Sequence, residues 1–255
     1  MNLSYRLYYV FLRNLISYKR FVLPTFIVSL GQPLFYLLTF GIGMGAYMGF
    51  FGGRPYLYFL VPGILVSSVM LSSTFECLYG TFVKMVHERL FSSLIATPLS
   101  AEDAVAGDIA WGAFRGFVSG MLMLVVAVFM GVSPVSLANV FLLLLLMSFI
   151  GVLFGSLAMI ITSFAPHFDF FNYYTELFIM PMFFFSGVFF PLDKFPVWMK
   201  AVAEGLPLTH AVTISRAVFS GEVTVALLPH FLYLAVLEAV VFYLAIKLMK
   251  RRLIK

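Results

Sequence analysis

The sequence predicts an all-α polytopic membrane protein, with six transmembrane helices, an N-terminal amphipathic interfacial helix and short external helices between spans five and six. Of 255 residues, 62% are hydrophobic and 11% are charged, whereas soluble domains average about 45–50% apolar and about 25% charged residues. Apolar runs of about 20 residues recur, and each is long enough to cross a hydrocarbon core of about 30 Å. Basic residues also divide unequally between the two ends of these runs. We therefore expect residues 1–255 to form a single transmembrane domain.

Residues 1–20 predict a helix that lies in the membrane interface. One helical face carries the apolar side chains of Leu3, Leu7, Phe11, Leu15 and Tyr18, and another carries Arg6, Arg13, Ser17 and Arg20. A helix of this kind buries its apolar face at the acyl boundary and keeps its charged face in water. The apolar run that follows is too long for a signal-peptide core and has no clear cleavage site, so we expect the N-terminus to be retained.

The first three spans are predicted at residues 23–47, 57–83 and 104–130. Pro33 is tolerable within the first span because neighbouring helices can satisfy the backbone groups that a proline kink frees. Residues 84–103 are too polar to lie uncovered in a bilayer core, so this segment is predicted to be cytoplasmic. Ser100, followed three residues later by Asp103, is typical of a capping box and predicts where the third helix begins.

The remaining spans are predicted at residues 137–163, 170–190 and 224–246. Prolines 191, 196 and 207 break the segment 191–222 into short helices. With six spans, the side of the termini carries Arg6, Arg13, Lys19, Arg20, Lys84, Arg89, Arg115, Lys247, Lys250, Arg251, Arg252 and Lys255, and the other side carries Arg54, Lys194, Lys200 and Arg216. Because basic residues concentrate on the cytoplasmic side, both termini are predicted to be cytoplasmic.

The sequence motifs exclude several kinds of catalytic or metal site. No lysine follows a glycine or precedes serine or threonine, so the ATP-binding P-loop is absent. His87-Glu88 begins like a zinc-protease helix, but Phe91 stands where the second histidine is needed. Cys77 is the only cysteine, which excludes an intrachain disulfide. We expect no catalytic set and no metal site, and we attribute the net charge of +5 to membrane-end charges rather than to nucleic-acid binding.

Glu76, Arg115, Glu176 and Glu238 lie inside predicted spans, where charges are costly and often functional. Glu76 and Arg115 lie at similar depths on adjacent antiparallel helices, which predicts an intramembrane ion pair, with a transport role as the alternative. For Glu176 and Glu238 two interpretations stay open, a water-filled path or a protonated side chain. Histidines 167, 210 and 230 are expected to be hydrogen-bonded loop or interface residues, with proton coupling as the alternative.

The fifth span contains more aromatic residues than an interfacial belt requires. Helix packing and belts are one interpretation. The other is a passage for substrate, lined by flat faces that suit sugar rings or acyl chains. Its candidate residues are Phe171, Tyr173, Tyr174, Phe178, Phe184 and Phe185.

Two motifs resemble those of type-2 ABC exporter permeases. The first is Glu88-Arg-Leu-Phe-Ser-Ser-Leu-Ile-Ala-Thr-Pro98, followed by Gly107-Asp-Ile-Ala-Trp111. The second is Ser186-Gly-Val-Phe-Phe-Pro191, followed by Phe195-Pro-Val-Trp, Leu206-Pro-Leu-Thr-His210 and Arg216. Within that family, Phe75-Glu76, Phe164-Ala-Pro-His-Phe-Asp169 and Met180-Pro-Met-Phe-Phe-Phe-Ser-Gly187 are most similar to the permease of nodulation-factor exporters.

The resemblance covers nearly the whole chain and implies partners and cargo. It implies a homodimer in the bacterial inner membrane, surrounded by membrane lipids, with two ATPase subunits that bind ATP and Mg. The cargo would be a lipid-linked saccharide, a polysaccharide or another amphipathic compound, exported by alternating access. The competing functions are a lipid-modifying membrane enzyme, dependent on Glu76, Asp108 or Asp169, and a secondary transporter that works as a single polypeptide.

The resemblance also assigns two segments. Glu88, Arg89, Leu90, Phe91, Leu94 and Ile95 would form the coupling helix that contacts the ATPase. The spacing of its apolar residues independently fits a groove in a partner, and the alternative is a helix lying on the bilayer surface. Segment 191–222 would form an external gate. The candidate gate residues are Phe189 and Phe190, directly before this segment, and Pro191, Trp198, Pro207 and His210 within it.

Overall fold

A computed structural model describes residues 4–19, 31, 33–48, 50–51, 53–88, 90–91 and 99–253. Within these ranges the chain is an all-α bundle, apart from an antiparallel ribbon in which β1 (Phe50–Phe51) pairs with β2 (Arg54–Pro55). Four helical stretches are long and apolar enough to span a membrane: Tyr56–His87, Ala101–Phe129, Leu137–Phe164 and Val225–Leu253. They correspond to predicted spans two, three, four and six. The first three are called α3, α4 and α5 below.

The helices at predicted spans one and five are shorter or interrupted. Helix α1 (Leu7–Tyr18) precedes α2 (Pro33–Tyr47), and residues 23–30 of the predicted first span lie outside the described ranges. Helix α6, residues 170–185, consists of Phe170–Tyr174, the π-helical turn Thr175–Ile179 and Met180–Phe185. A six-span topology therefore stays a prediction.

The capping-box prediction is confirmed at the start of α4. The Ser100 hydroxyl accepts a hydrogen bond from the Asp103 amide at 3.0 Å, and the Asp103 carboxylate accepts one from the Ser100 amide at 3.4 Å. These bonds satisfy two groups that a helix N-terminus otherwise leaves unpaired. Helix α5 likewise begins at the predicted residue, where the Ser136 hydroxyl caps the amide of Asn139.

Two helices extend beyond the spans predicted for them. Helix α3 does not stop at residue 83 but continues through the π-helical turns Glu76–Gly80 and Val83–His87. The continuation is possible because Lys84 is neutralised by acidic side chains rather than exposed to the bilayer. The last long helix, Leu228–Leu253, runs seven residues beyond the predicted end, because its basic last turn bonds to neighbouring helices.

Short helices occupy the segment between α6 and the last long helix. A 3-10 turn at Leu192–Lys194 leads to α7 (Val197–Glu204) and α8 (Pro207–Ser220), and the last long helix is accordingly α9 (Leu228–Leu253). Gly221 ends α8 with φ near +80°, a left-handed conformation that glycine adopts without steric cost.

Glycines bring the three central helices into backbone contact. On α4, Gly112, Gly116 and Gly120 recur every four residues and face α3. A Cβ atom at Gly116 would lie 2.8 Å from the carbonyl oxygen of Val69 on α3, and one at Gly151 of α5 would lie 2.9 Å from the carbonyl oxygen of Ala113. Small residues of this kind allow membrane helices to approach closely.

The bundle has two chemically distinct ends. At the end that we call the basic end, the Ser4 amide donates to Asp103 at 2.7 Å and Lys250 pairs with Glu102 at 2.9 Å, so α1, α4 and α9 meet there. At the opposite end, the far end, α8 packs on the first turns of α3. Helix α9 lies at the periphery, since 11% of its most apolar 18 residues are buried, against 78% in α3.

Candidate functional site: a buried charge cluster beside a cleft

An open cleft of about 610 Å³ lies between α2, α3 and α4. Its walls are partly apolar and partly polar, formed by Pro33, Ser68, Leu71, Ser72, Phe75, Glu76, Tyr79, Gly80, Val83, Lys84, Glu88, Arg115 and Ser119. Most of these residues belong to α3, which is the most buried of the long helices. The cleft therefore reaches from the basic end into the apolar bundle, where a polar wall requires an explanation.

Glu76 is the first centre of this polar wall. Its side chain is 9% exposed. The carboxylate contacts three nitrogen-bearing side chains from α3 and α4. Trp111 donates from its indole nitrogen at 2.9 Å, Lys84 approaches within 3.4 Å, and Arg115 forms an ion pair with the second carboxylate oxygen. The carboxylate is thus compensated on both oxygens, as a buried charge must be.

Asp108 is the second centre and is buried more deeply, with 1% of its side chain exposed. Its carboxylate accepts hydrogen bonds from Asn14 at 2.8 Å, Thr81 at 2.8 Å and Lys84 at 3.0 Å. Because Lys84 contacts Glu76 as well as Asp108, its ammonium group joins the two carboxylates. We call Glu76, Lys84, Asp108 and Arg115 the charge cluster. It contains two acids and two bases, so its formal charges balance.

The spacing of the sequence places these groups on facing helix surfaces. Glu76, Gly80 and Lys84 recur every four residues on α3, while Asp108 and Arg115 lie seven residues apart on α4. Residues at such intervals share a helix face. Gly80 leaves room for the Glu76 carboxylate, because a Cβ atom there would lie 2.7 Å from one of its oxygens.

Helix α1 is fastened to the charge cluster. Asn14 accepts a hydrogen bond from Arg13 at 2.7 Å and donates one to Asp108. Next to this bond, Gly107 allows the two helices to touch, since a Cβ atom there would lie 2.7 Å from Cβ of Val10. Burial lowers the pKa of the Arg13 guanidinium, and Asp108 and Glu88 oppose that shift. Helix α1 is therefore hydrogen-bonded directly to a buried carboxylate of the bundle.

The far end is held by a different polar device, centred on Arg216. Its guanidinium donates to the carbonyl oxygens of Gly187 at 2.6 Å, Val188 at 3.1 Å and Phe59 at 3.2 Å. The same group lies 3.6 Å from the centre of the Phe59 ring. We call this arrangement the carbonyl clamp. It ties α8 both to the start of α3 and to the turn that follows α6.

Two histidines join α8 to α9 at the far end. The Nδ1 atoms of His210 and His230 lie 2.6 Å apart, and Nε2 of His210 is 2.9 Å from the carbonyl oxygen of Glu204. The Tyr233 ring packs 4.2 Å from the His210 ring. Burial lowers the pKa of His210 and His230 lowers it further, while Glu204 opposes the shift. A short N to N contact requires that one ring donates and the other accepts.

A comparison with protein-family models identifies the family of this chain. The model of the ABC-2 type transporter family matches residues 5–220. This chain belongs to the ABC-2 type transporter family. The matched range contains the cleft, the charge cluster and the carbonyl clamp, and it ends before α9.

Individual relatives of the permease resemble it along nearly its whole length. The Nodulation protein J of Sinorhizobium fredii is 34% identical over 96% of this chain and 93% of its own, and that of Rhizobium meliloti is 35% identical over 96% and 92%. The inner membrane transport permease YadH of Escherichia coli is 24% identical over 93% of each chain. The permease is accordingly a multi-pass inner-membrane protein and a transporter subunit.

The structure brings the predicted pair Glu76 and Arg115 together, and it adds partners that sequence reasoning missed. Asn14, Thr81 and Trp111 were not predicted to contact the acids, and Lys84 was assigned to the polar loop. The recurrence of Glu76, Gly80 and Lys84 at four-residue intervals is the signal that would have indicated a shared helix face.

The predicted substrate-path residues do not form one surface in the permease. Phe171 has no exposed surface, because it packs in a cluster with Phe82 and Phe168, so it lines no open passage in this conformation. Tyr174 is partly buried against the core. The remaining four are exposed on α6, namely Tyr173, Phe178, Phe184 and Phe185.

The predicted gate residues also separate. Phe189 is 1% exposed and packs 4.5 Å from the Phe40 ring, while its carbonyl oxygen accepts a hydrogen bond from Tyr56 at 2.7 Å. Phe190 and Trp198 are exposed, and Pro191, Pro207 and His210 are half-buried. Phe189 thus packs between α2 and the start of α3.

The predicted coupling helix falls largely outside the described residues, which exclude Arg89, Leu94 and Ile95. Glu88 lines the cleft, and Leu90 is half-buried. Phe91 is 2% exposed and belongs to the apolar cluster at the basic end. In this conformation its side chain anchors the segment to the bundle rather than facing a partner.

The two other acids predicted inside spans also have different surroundings. Glu176 is exposed on α6. In Glu238 on α9, one carboxylate oxygen is buried without a hydrogen-bond partner among the described residues. Both alternatives for these acids stay open.

Proposed function

We propose that the permease is the membrane-spanning subunit of an ATP-driven exporter and works as a homodimer with two separate ATPase subunits. The proposal is supported by membership of the ABC-2 type transporter family and by relatives named Nodulation protein J and inner membrane transport permease. The cargo that we propose is a lipid-linked saccharide, a polysaccharide or a similar amphipathic compound, as the resemblance to nodulation-factor exporters implies.

The observation that carries the proposal is the direct bond between an amphipathic helix and a buried carboxylate beside a cleft. Asn14 joins α1 to Asp108, and Lys84 joins Asp108 to Glu76 in the cleft wall. Since α1 is the surface helix and the cleft lies within the bundle, this chain of contacts links an ATPase-facing element to the substrate path. Tilting α1 would then shift the ion pairs and change the shape of the cleft.

The cleft chemistry fits an amphipathic cargo with a polar, uncharged or internally balanced head. Its acids and bases neutralise one another, so no net charge is left to select a simple ion. The hydroxyl-bearing residues Ser68, Ser72 and Tyr79 add further hydrogen-bonding groups to the polar part of the wall. Sugar hydroxyls bind to such a mixture of paired charges and hydroxyls. The exposed aromatics of α6 would accommodate the lipid part.

We propose two further roles for segments of the permease. Residues 88–95 would contact the ATPase as the coupling helix, with Phe91 as the buried anchor and Glu88 beside the cleft. Segment 191–222 would act as the external gate, in which the carbonyl clamp fixes the turn around Gly187 and Phe189 closes the path. Six spans with both termini in the cytoplasm complete this topology.

Affinity purification of the tagged permease from its host in mild detergent tests the assembly. Mass spectrometry is expected to recover a P-loop ATPase in equal amount, together with an enriched lipid or glycan. Repeated recovery of the permease alone, under conditions that preserve known transporter complexes, would favour a secondary transporter or a membrane enzyme instead.

The coupling role of α1 is tested with Asn14→Ala in the complex with its ATPase. The substitution removes one of the three donors to Asp108, and transport per ATP hydrolysed is expected to fall about tenfold while assembly persists. Ser17→Ala, an exposed position on the same helix, is the matched control. If Asn14→Ala leaves transport per ATP unchanged, the contact between α1 and Asp108 does not couple the two subunits.

A further inference from the structure

A second cavity, separate from the cleft, lies at the basic end of the bundle. It has a volume of about 600 Å³ and lies between the last turns of α5 and α9. Its lining combines an apolar wall with two arginines, and consists of Ser163, Phe164, Ala165, Pro166, Leu248, Arg251 and Arg252. No acidic residue is among the described residues that line it. The position and composition suggest a ligand with both an anionic and an apolar part.

The two arginines have different tasks. Arg252 donates to the carbonyl oxygen of Thr162 and lies 5.8 Å from the Phe82 ring, so it offsets the negative end of the α5 dipole. Arg251 is exposed and has no ion-pair or hydrogen-bond partner among the described residues. Neighbouring Lys250 is occupied by Glu102. Among the described residues that line the cavity, Arg251 is therefore a cation available to an anion from outside the chain.

An exposed apolar track leads from the cavity along α9. Val240, Leu244 and Leu248 precede Arg251 at four-residue and three-residue intervals, so all four residues share one helix face. Val240 is 51% exposed and Leu244 is 39% exposed. Eleven residues at a rise of 1.5 Å span about 16 Å, close to the thickness of one leaflet, which is about half of a 30 Å hydrocarbon core.

We propose that this cavity binds an anionic phospholipid, with its phosphate at Arg251 and an acyl chain along the track on α9. The length of the track and the position of the cation match the two parts of one lipid in one leaflet. Phe164, at 61% exposed, completes the apolar wall at the mouth. A protein partner is a weaker match, because the track continues into the part of α9 that lies within the bilayer, where lipid is the expected neighbour.

The test compares lipids on the purified full-length permease in a nonionic detergent. Native mass spectrometry measures retention of phosphatidylglycerol and of phosphatidylcholine with the same acyl chains, and thermal unfolding measures stabilisation by each. Phosphatidylglycerol is expected to be retained preferentially and to raise the unfolding temperature. In Arg251→Gln this preference is expected to fall about fivefold, the usual contribution of one basic side chain at an anionic surface. Arg251→Lys is expected to keep most of it.

Arg54→Gln is the matched control, because Arg54 is an exposed arginine at the far end, and its preference is expected to remain. Equal retention of both lipids by the unmodified permease would overturn the proposal. An equal loss of the phosphatidylglycerol preference in Arg54→Gln would also overturn it, because the preference would then come from non-specific attraction to basic residues. Stabilisation by inorganic phosphate alone to the same extent would indicate an anion site without a lipid. A preference unaffected by Arg251→Gln, with loss of ATPase binding instead, would assign the cavity to the partner subunit.

Discussion

The two ends of α3 bury polar groups in opposite ways. At the basic end, the charge cluster collects ionised side chains from α3 and α4 and binds α1 through Asn14. At the far end, the carbonyl clamp satisfies the single cation Arg216 with backbone oxygens. A network of side chains can be redistributed when one helix moves, because Glu76, Lys84 and Asp108 each have more than one partner. A cation on backbone carbonyls fixes the path of the chain itself.

We infer different mechanical roles for the two ends. In the proposed coupling, the charge cluster is the junction where a displacement of α1 would change the pairing of Asp108, Lys84 and Glu76. The carbonyl clamp is a fixed point, since Gly187 and Val188 precede the buried Phe189 directly. Breaking each end in turn separates the two roles, beginning with the larger expected effect.

Asp108→Ala is expected to have the largest effect on stability. It leaves the Lys84 ammonium with only Glu76 and strands the donors of Asn14 and Thr81, and breaking a buried charge pair costs about 3–5 kcal/mol. The measurement is thermal unfolding of the purified permease, in which fluorescence-detected size-exclusion chromatography reports the folded fraction after heating. The control is Asp193→Ala, since Asp193 is 90% exposed in a 3.9 Å pair with Lys200 and such pairs contribute about 0–1 kcal/mol.

A double substitution sharpens this result. Replacing Lys84 by Met together with Asp108→Ala removes the uncompensated cation, so part of the lost stability is expected to return. If Asp108→Ala alone were no more harmful than Asp193→Ala, the cluster would not contribute to stability.

Arg216→Gln is expected to have an intermediate effect. Hydrogen bonds to a charged group contribute about 1.5–3 kcal/mol, and the three backbone carbonyls that lose them carry no formal charge, so the loss is expected to be smaller than that of an unpaired buried ion. Arg216→Lys keeps the charge but lacks the planar fork that reaches three oxygens, so it is expected to restore less than half of the loss. Unfolding temperature measures stability, and protease cleavage after Lys194 measures loosening of the turn. Full restoration by lysine would show that charge, not geometry, holds the clamp.

The smallest expected effect is a pH dependence at His210. Since burial lowers the pKa of His210 below its ordinary value of 6.5, the unfolded chain binds a proton first as pH falls. Stability is therefore complete above about pH 6.5 and is lost as pH falls from there through the lowered pKa of the folded state. The groups facing the ring are His230, Tyr233 and the Glu204 carbonyl. His210→Gln is expected to reduce the change in unfolding temperature between pH 5 and 7. If the unfolding temperature of the variant changed with pH as much as that of the unmodified permease, groups other than His210 would cause the pH dependence.

Sequence reasoning succeeded where local chemistry decides the structure. Ser100 and Asp103 cap the helix that their spacing predicts, and the boundaries of α5 differ from the prediction by a single residue. Glu76 and Arg115 meet because depth along two antiparallel helices is readable from residue counts. Predicting these features requires knowledge of only one helix or of one pair of neighbouring helices.

Sequence reasoning failed where a distant contact changes the meaning of a residue. Lys84 reads as the start of a polar loop, yet Asp108 keeps it within α3. Phe171 was a candidate for the substrate path and Phe189 for the external gate, and tertiary packing buries both side chains. Asn14 carries no signal at all as a partner of α4, because its contact depends on how α1 crosses the bundle. The charge cluster was therefore only half predictable.

The glycines of α4 and α5 limit which motions the central helices can make. Sliding α4 by one residue along α3 would move its backbone by about 1.5 Å and bring side chains against the carbonyl of Val69, which Gly116 now approaches. A rigid rotation of α3, α4 and α5 together keeps every such contact. We therefore expect the three helices to move as one body, so that distances between spectroscopic labels placed within them stay constant during transport.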